Sequence, residues 1–416
     1  MKKRSLGFLL ISLAISQHAV AIDLSDSTQI HGFINQSFLY SPDNPYAGTD
    51  ARNGSLKFRE IGLNAFHEIS PEFRLAGQLL SRQQDQTDDG DIRVDFLLAD
   101  YLFFSGQYTS LGVRAGRVKN NIGFYNAVRD IPSARPGSNV PDSIYFPSFR
   151  DTLLALDGVN LYGSTVLADN LITWEVAAGR RGIDSEDFEY FSFGRPLTTG
   201  EVDNVPIRLL NINLIPAFQR NLRIGLSLVD LELELEDTQS ISEARNTLVN
   251  APPGDLLANP QRYITSGESD NLLTILSAQY SLSNWVITAE YLNLESDSSV
   301  ELAGISSSGS NTAEGYYLQL EWLATIRTSW FTRYEEFYRD TDDRSGSGTA
   351  LDYNPHRGFG KGWTVGGKWM FVDNWTVLGQ ASFNEGTTWL PTFRGIENNQ
   401  IRKHWNYYVL SLNYQF

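Results

Sequence analysis

The stretch from residue 119 to 152 differs from every other connection in the chain by the chemistry it carries. It holds the bases Lys119, Arg129, Arg135 and Arg150 and, among its acids, Asp142. Four prolines (Pro132, Pro136, Pro141, Pro147) keep it out of any β-ladder and stiffen it. Five aromatic residues (Phe124, Tyr125, Tyr145, Phe146, Phe149) give it apolar surface with which to pack. A connection this long without regular structure is unusual unless it is functional. No nucleophile with a matched base lies in it, so its chemistry is that of fixed charges held in place.

A second set of charges lies on stretches of alternating polarity: the bases Arg74, Arg114, Arg181, Arg223, Arg333 and Lys368, and the acids Glu175, Glu290, Glu321 and Glu335. With the 119–152 residues they form a collection in which bases slightly outnumber acids, which leans towards anionic or mixed solutes. Residues 182–204, with six acids and one base, and 234–269, with six acids and two bases, pull towards cations. The clusters Asp85…Asp88-Asp89-Gly-Asp91 and Asp340…Asp342-Asp343 lack calcium-loop spacing and its closing Glu, and read as solvated carboxylates. Hydrolytic chemistry lacks its parts. Beyond residue 21 the histidines are His31, His67, His356 and His404, none in a nucleophile motif, and no Gly-x-Ser-x-Gly occurs. There is no cysteine, and no motif calls for a metal or cofactor.

The elements that must carry these side chains are strands. In the last thirteen residues, Tyr408, Leu410, Leu412, Tyr414 and Phe416 alternate with Val409, Ser411, Asn413 and Gln415. A period of two gives a strand one greasy face and one wet face. Sixteen such segments recur, near 28–40, 56–67, 73–83, 92–103, 109–118, 153–164, 171–181, 205–215, 222–233, 270–281, 285–295, 313–324, 327–338, 361–371, 375–384 and 405–416. Each is close to the ~9–11 residues with which a tilted strand crosses a bilayer. The connections alternate strictly between short ones and long ones, the latter at 41–55, 84–91, 119–152, 182–204, 234–269, 296–312, 339–360 and 385–404. That pattern predicts an all-β, antiparallel up-and-down transmembrane barrel of about sixteen strands with both termini on the short-turn side.

Face assignment follows from cost. A charge on the lipid face near the midplane costs a few kcal/mol, so Arg74, Thr288, Glu290, Gln319 and Glu321 are expected inside. Six tryptophans (Trp174, Trp285, Trp322, Trp330, Trp369, Trp375) lie near short turns, as an interfacial girdle requires, and Trp363, Trp389 and Trp405 mark a second girdle. Apolar phase changes around Phe96–Phe104 and Leu228–Leu235 are read as β-bulges or the membrane exit.

Residues 1–21 read as a signal peptide: Lys2-Lys3-Arg4, an apolar run from Leu6 to Ser16, and an Ala19-Val20-Ala21 cleavage site. Residues 22–416 then form one barrel domain. The formal charge of −16 becomes more negative on cleavage, which excludes a generic nucleic-acid binder. No apolar run approaches the ~20 residues of a transmembrane helix.

The terminal strand ending on Phe416, with the Arg129-Asp-Ile-Pro…Arg135-Pro…Pro141-Asp142-Ser-Ile-Tyr run after the fifth strand, resembles the Gram-negative outer-membrane porin superfamily. That run is similar to the third loop of porins related to the phosphate-selective group. The chain lacks the lysine cluster that phosphate selectivity implies and the Pro-Glu-Phe-Gly-Gly run of the enteric general porins. The resemblance implies an infolded third loop and a water-filled channel for passive diffusion of small hydrophilic solutes. It also implies a cell outer-membrane location with periplasmic termini, contact with lipid and lipopolysaccharide, and a homotrimer. The competing expectations are a structural or adhesin-like barrel whose long loops bind a partner and, further off, a barrel enzyme.

Overall fold

The computed structural model describes residues 22–416 except 26, 47–48, 86–87, 184–201, 236–238, 259, 347–354 and 391–400. The signal-peptide segment and most of 182–204 lie outside the described residues. A short strand β1 (Ile22–Ser25) precedes β2 (Thr28–Tyr40), β3 (Ser55–Ser70), β4 (Phe73–Gln84), β5 (Asp89–Ser105) and β6 (Thr109–Lys119). Then come β7 (Ala155–Leu167), β8 (Asn170–Ile183), β9 (Val202–Ile215), β10 (Leu222–Leu235), β11 (Ile264–Leu282) and β12 (Trp285–Leu302). The chain ends with β13 (Ile305–Thr325), β14 (Thr328–Tyr338), β15 (Phe359–Val372), β16 (Trp375–Gly386) and β17 (His404–Gln415).

Strands β2 to β17 pair antiparallel with their sequence neighbours, and β17 returns to β2 with Tyr408 opposite Tyr40 and Gln415 opposite Phe33. The sheet is therefore a closed sixteen-stranded barrel without an open seam. The terminal Phe416 completes the closure: its N–H and carbonyl both bond to Gly32 at 2.9 Å. β1 adds to β2 beside Thr28–Ile30, below the end of β17.

Burial alternates with a period of two along the strands. Outward positions such as Ile34, Leu63, Leu79, Val159, Val176, Leu276, Leu318, Leu410 and Leu412 are exposed aliphatics, the belt that hydrocarbon covers on a membrane barrel. At the short-turn end Trp285 stacks on Trp322 at 5.7 Å and Trp375 packs on Tyr414 at 4.8 Å. Trp363 also faces outward, but Trp405 and Trp389 are buried in the interior and form no second girdle.

One expectation about the strands needs correction, and the two phase changes resolve differently. β12 and β13 run on to Leu302 and from Ile305, joined by a tight Ala303-Gly304 turn at φ +50° and +86°, so 296–312 is a hairpin and not a long loop. The apolar phase change along β10 involves no bulge, for β10 pairs regularly with both neighbours. There Val229 and Leu231 turn inward to a buried cluster, while Asp230 and Glu232 face outward to Arg208 at 2.7 and 2.9 Å. The change marks where the strand leaves the apolar belt. Around β5, by contrast, register slips between Gln78 and Leu79 opposite Phe96 and Val94, and again between Tyr101 and Phe104.

Candidate functional site

The first of these slips leaves Asp95 as the extra residue, a bulge that re-aims its side chain. Asp95 is 2% exposed and meets Lys119 at 2.8 Å and Arg150 at 3.8 Å, the two ends of the β6–β7 connection. Arg150 also grips Asp130 at 2.5 Å and pairs with Asp151. Asn120 bonds the carbonyls of Leu153 and Leu154, and Asn126 bonds Leu153 and Asn120, so the connection leaves and re-enters the wall side by side. Burial alone would lower the Arg150 guanidinium, but Asp130, Asp151 and Asp95 together raise it. Burial would raise Asp130, yet Arg150, Lys119 and Arg129 outweigh it and hold that carboxyl well below its usual range. Arg129 has no such carboxylate fork: it donates to the Tyr145 carbonyl and Asn126 Oδ1, and burial pushes it down to about 10.

From this base the connection bonds to inward positions around the wall. Gly123 N–H donates to Ser227 Oγ on β10 at 3.0 Å. Glu290 on β12 accepts from Phe124 N–H, Tyr145 Oη, Ser277 Oγ and Tyr317 Oη at 2.6–2.8 Å. Ser143 N–H donates to Glu335 on β14, and Ser138 N–H to Gln380 on β16. Arg135 forks onto Glu60 of β3 at 2.7 and 3.0 Å, a buried bidentate pair. Lys368 of β15 donates to the carbonyls of Pro132, Ser133 and Arg135. The five aromatics and Ile122, Val140 and Ile144 join or pack on one apolar cluster with the inner faces of β8 to β14. Asp142 is held by Asn139 at 3.1 Å, and burial with the nearby Glu335 pushes it up to about 7.

The wall residues expected from the sequence all occupy inward positions. Across β4 to β8 they form one ionic row: Arg74 to Asp100 at 2.8 Å, Asp100 to Arg114 at 3.5 Å, and Arg114 to Glu175 at 3.4 Å. Arg114 lies 4.1 Å over the Tyr162 ring, and Asn121 of the connection donates to Glu175 at 2.6 Å. Arg181 donates to the Asp151 carbonyl at 3.2 Å. Arg333 pairs with Glu335 at 3.0 Å and reaches the Asn139 carbonyl. Glu321, opposite Val286 and Phe331, and Arg223 on β10 stand in no ion pair among the described residues, though Arg223 lies over the Phe124 ring. Reasoning from the sequence missed Glu60, Asp95, Asp100, Asp130 and Asp151. Glu60 could have been found, since Phe58, Glu60, Gly62 and Asn64 share the inward phase of β3. Asp95 could not, because a bulge breaks the count. Asp88, in the suspected acidic cluster, is taken up by Arg82 and Arg93 at 3.2 and 2.8 Å.

No protein-family model matches the sequence, and no curated protein matches it. Solved structures do share its shape. OmpT, an outer-membrane protein of Vibrio cholerae, is similar with a TM-score of 0.57 at 12% identity, over 95% of this chain and 99% of that one. An anion-selective porin from Comamonas acidovorans gives 0.53 at 11% identity, over 94% and 99%. The outer-membrane channel DcaP of Acinetobacter baumannii gives 0.52 at 9%, over 94% and 97%. Nearly end to end, then, the chain has the sixteen-stranded barrel fold seen in outer-membrane channels.

Proposed function

We propose that this chain is an outer-membrane porin, a water-filled channel through which small hydrophilic solutes diffuse passively, with residues 119–152 infolded as its constriction. The observation that carries the reading is the closed barrel whose inward face bears paired charges and whose proline-rich connection bonds to inward side chains of β3, β10, β12, β14, β15 and β16. Fixed charges in a narrow, low-dielectric waist set the sign of the ion favoured there, and the width sets the size limit. The constriction group is Lys119, Arg129, Arg135, Asp142 and Arg150, facing the wall group described above. Most of these charges are matched, so the selectivity is weak, anionic or mixed. Residues 1–21 direct export and are removed, and both termini lie in the periplasm. The aliphatic belt meets lipid and lipopolysaccharide. Among the similar structures, OmpT is described in a trimer form, and this chain is proposed to form a homotrimer too.

Catalysis is not part of the reading. The four histidines fall at opposite ends of the barrel, His31 and His67 towards the short-turn end of β2 and β3, His356 and His404 beside the opposite connections. A second reading, adhesion through the outer loops, draws on the β12–β13 hairpin and the helix Ile241–Val249, whose Arg245 bonds the Ala303 carbonyl. Protein purified into a planar bilayer tests both. Stepwise, salt-dependent conductance is the expected result, and silence at every voltage overturns the channel in favour of the second reading.

A further inference from the structure

On the inward face of the strands Arg74, Arg82, Arg93, Arg114, Arg181 and Arg333 each stand in an ion pair with a carboxylate. Arg223 has none among the described residues. Its setting is built all the same. The guanidinium lies 4.3 Å over the ring of Phe124, at the start of the 119–152 connection, and its Nε donates to Asn213 Oδ1 at 3.1 Å. Phe124 is fixed by its own N–H, which is shared between Glu290 and the Tyr145 hydroxyl at 2.8 Å. Its ring has room because residue 225, two along from Arg223 on the same face, is glycine. A Cβ there would stand 3.0 Å from the ring and 3.2 Å from Asn213 Oδ1.

The acid that could neutralise Arg223 is occupied. Glu290 accepts from four donors, three of them hydroxyls of Ser277, Tyr145 and Tyr317. With one face on the ring and Nε on Asn213, the guanidinium keeps its two terminal nitrogens. These are spaced to donate in parallel to the two oxygens of a carboxylate. Stacking on an aromatic ring is compatible with that use, because a guanidinium is weakly hydrated and its donors lie in the plane, away from the stacked face.

We infer that Arg223, seated on Phe124 and Gly225, is a solute-binding subsite of the channel and that the solutes it selects carry a carboxylate. The inference rests on the channel reading and names its substrate class. A passing carboxylate exchanges water for the Arg223 fork and leaves by the reverse step, with no bond made or broken.

The test is single-channel recording on wild type, R223Q, R223K and F124L, each first shown to be folded by its heat-modifiable migration in SDS. Potassium succinate, potassium phosphate and potassium chloride are the probes. Succinate is expected to block the wild-type chloride current. In R223Q the half-blocking concentration should rise about ten-fold, with the anion-to-cation permeability ratio falling about five-fold. R223K keeps the charge but not the fork, so its permeability ratio should stay within about two-fold while succinate block weakens about five-fold. F124L should weaken block as R223K does. Block by succinate in R223Q equal to wild type overturns the subsite and leaves the channel standing. Equal block by phosphate and succinate, unchanged in R223K, overturns the carboxylate assignment in favour of charge alone. A wild-type protein that passes no current overturns both readings together.

Discussion

Replacing Arg135 by alanine should release the middle of the 119–152 connection from the wall. In the intact protein its two terminal nitrogens reach both oxygens of Glu60 at 2.7 and 3.0 Å, with side-chain exposures of 8% and 9%. Asn35 supports the same carboxylate at 3.0 Å. Removing one partner of a buried pair leaves the other charged and dry, which costs about 3–5 kcal/mol. The lower figure suits a pair beside a wet lumen. At 1.36 kcal/mol per decade, about 3 kcal/mol multiplies the locally opened population roughly 150-fold. The remaining ties, from Lys368 to the Pro132, Ser133 and Arg135 carbonyls and from Ser138 N–H to Gln380, should keep the segment on the wall on average. Hydrogen exchange of the amides of Ile131, Ala134 and Ser138, each hydrogen-bonded in place, reads that opening directly. Exchange should quicken on the order of 100-fold in R135A, and open-channel current should become noisier. The double variant E60Q/R135A removes the stranded charge and should recover at least half of the loss in free energy, as interacting neighbours do. Exchange in R135A within two-fold of wild type, or a double variant as fast as R135A, would refute the reasoning.

Two further perturbations follow from single contacts. Asp142 sits among Asn139, Arg333, Glu335 and Arg129, and its raised value of about 7 means that the folded protein keeps a proton which the unfolded chain has already released above about pH 4. Stability should therefore fall as pH rises from about 4 to 7, and the proposed anionic or mixed selectivity should shift towards cations through the upper end of that window as the carboxylate charges. D142N should flatten both profiles in this range, and a variant that titrates like wild type argues against the assignment. Gly32 holds the closing residue: a Cβ there would stand 2.4 Å from the Phe416 ring. G32V should displace the ring and lower stability by about 1–3 kcal/mol, seen as an earlier heat-modification transition, and an unchanged transition temperature would count against Phe416 as the closing contact.

The strands were legible because lipid on one side and water on the other force the same alternation on every crossing. That is why Thr28–Tyr40 and Phe73–Gln84 lie where period and turns put them. The same logic fails where lipid ends. Ser296–Leu302 and Ile305–Thr312 stay in the ladder with polar side chains on both faces, and Val300, Leu302 and Ile305 at the tip are too few to mark them as strands. Trp405 failed as a girdle residue for a related reason. It shares the inward phase of Tyr407 and Val409, packs on both Tyr407 and Tyr46, and donates to the Gly386 carbonyl at 2.8 Å. The ten wall charges stand at inward positions, as expected, because inward phase is a local property. The partners of the loop bases were not legible, since pairing of Arg135 with Glu60 or of Lys119 with Asp95 depends on the path of a connection that has no period.

That path also limits what the connection can do. Its two ends are locked by Asp95, Asp130 and Asp151, and one flank, from Ile122 to Tyr125 and from Val140 to Phe149, is buried in the apolar cluster on β8 to β14. The other flank, from Pro132 to Ser138, is tied to β3, β15 and β16 by polar bonds, and none of it joins the apolar cluster. Burying apolar area is worth about 25 cal/mol per Å² and is insensitive to ionic strength. Ion pairs and hydrogen bonds beside water are worth less each and weaken with salt. In the proposed channel, any change in width should therefore come from the 132–138 flank, with the aromatic flank acting as its fixed edge. Phe124 lies on that fixed edge, so the Arg223 fork keeps its place while the opposite side yields.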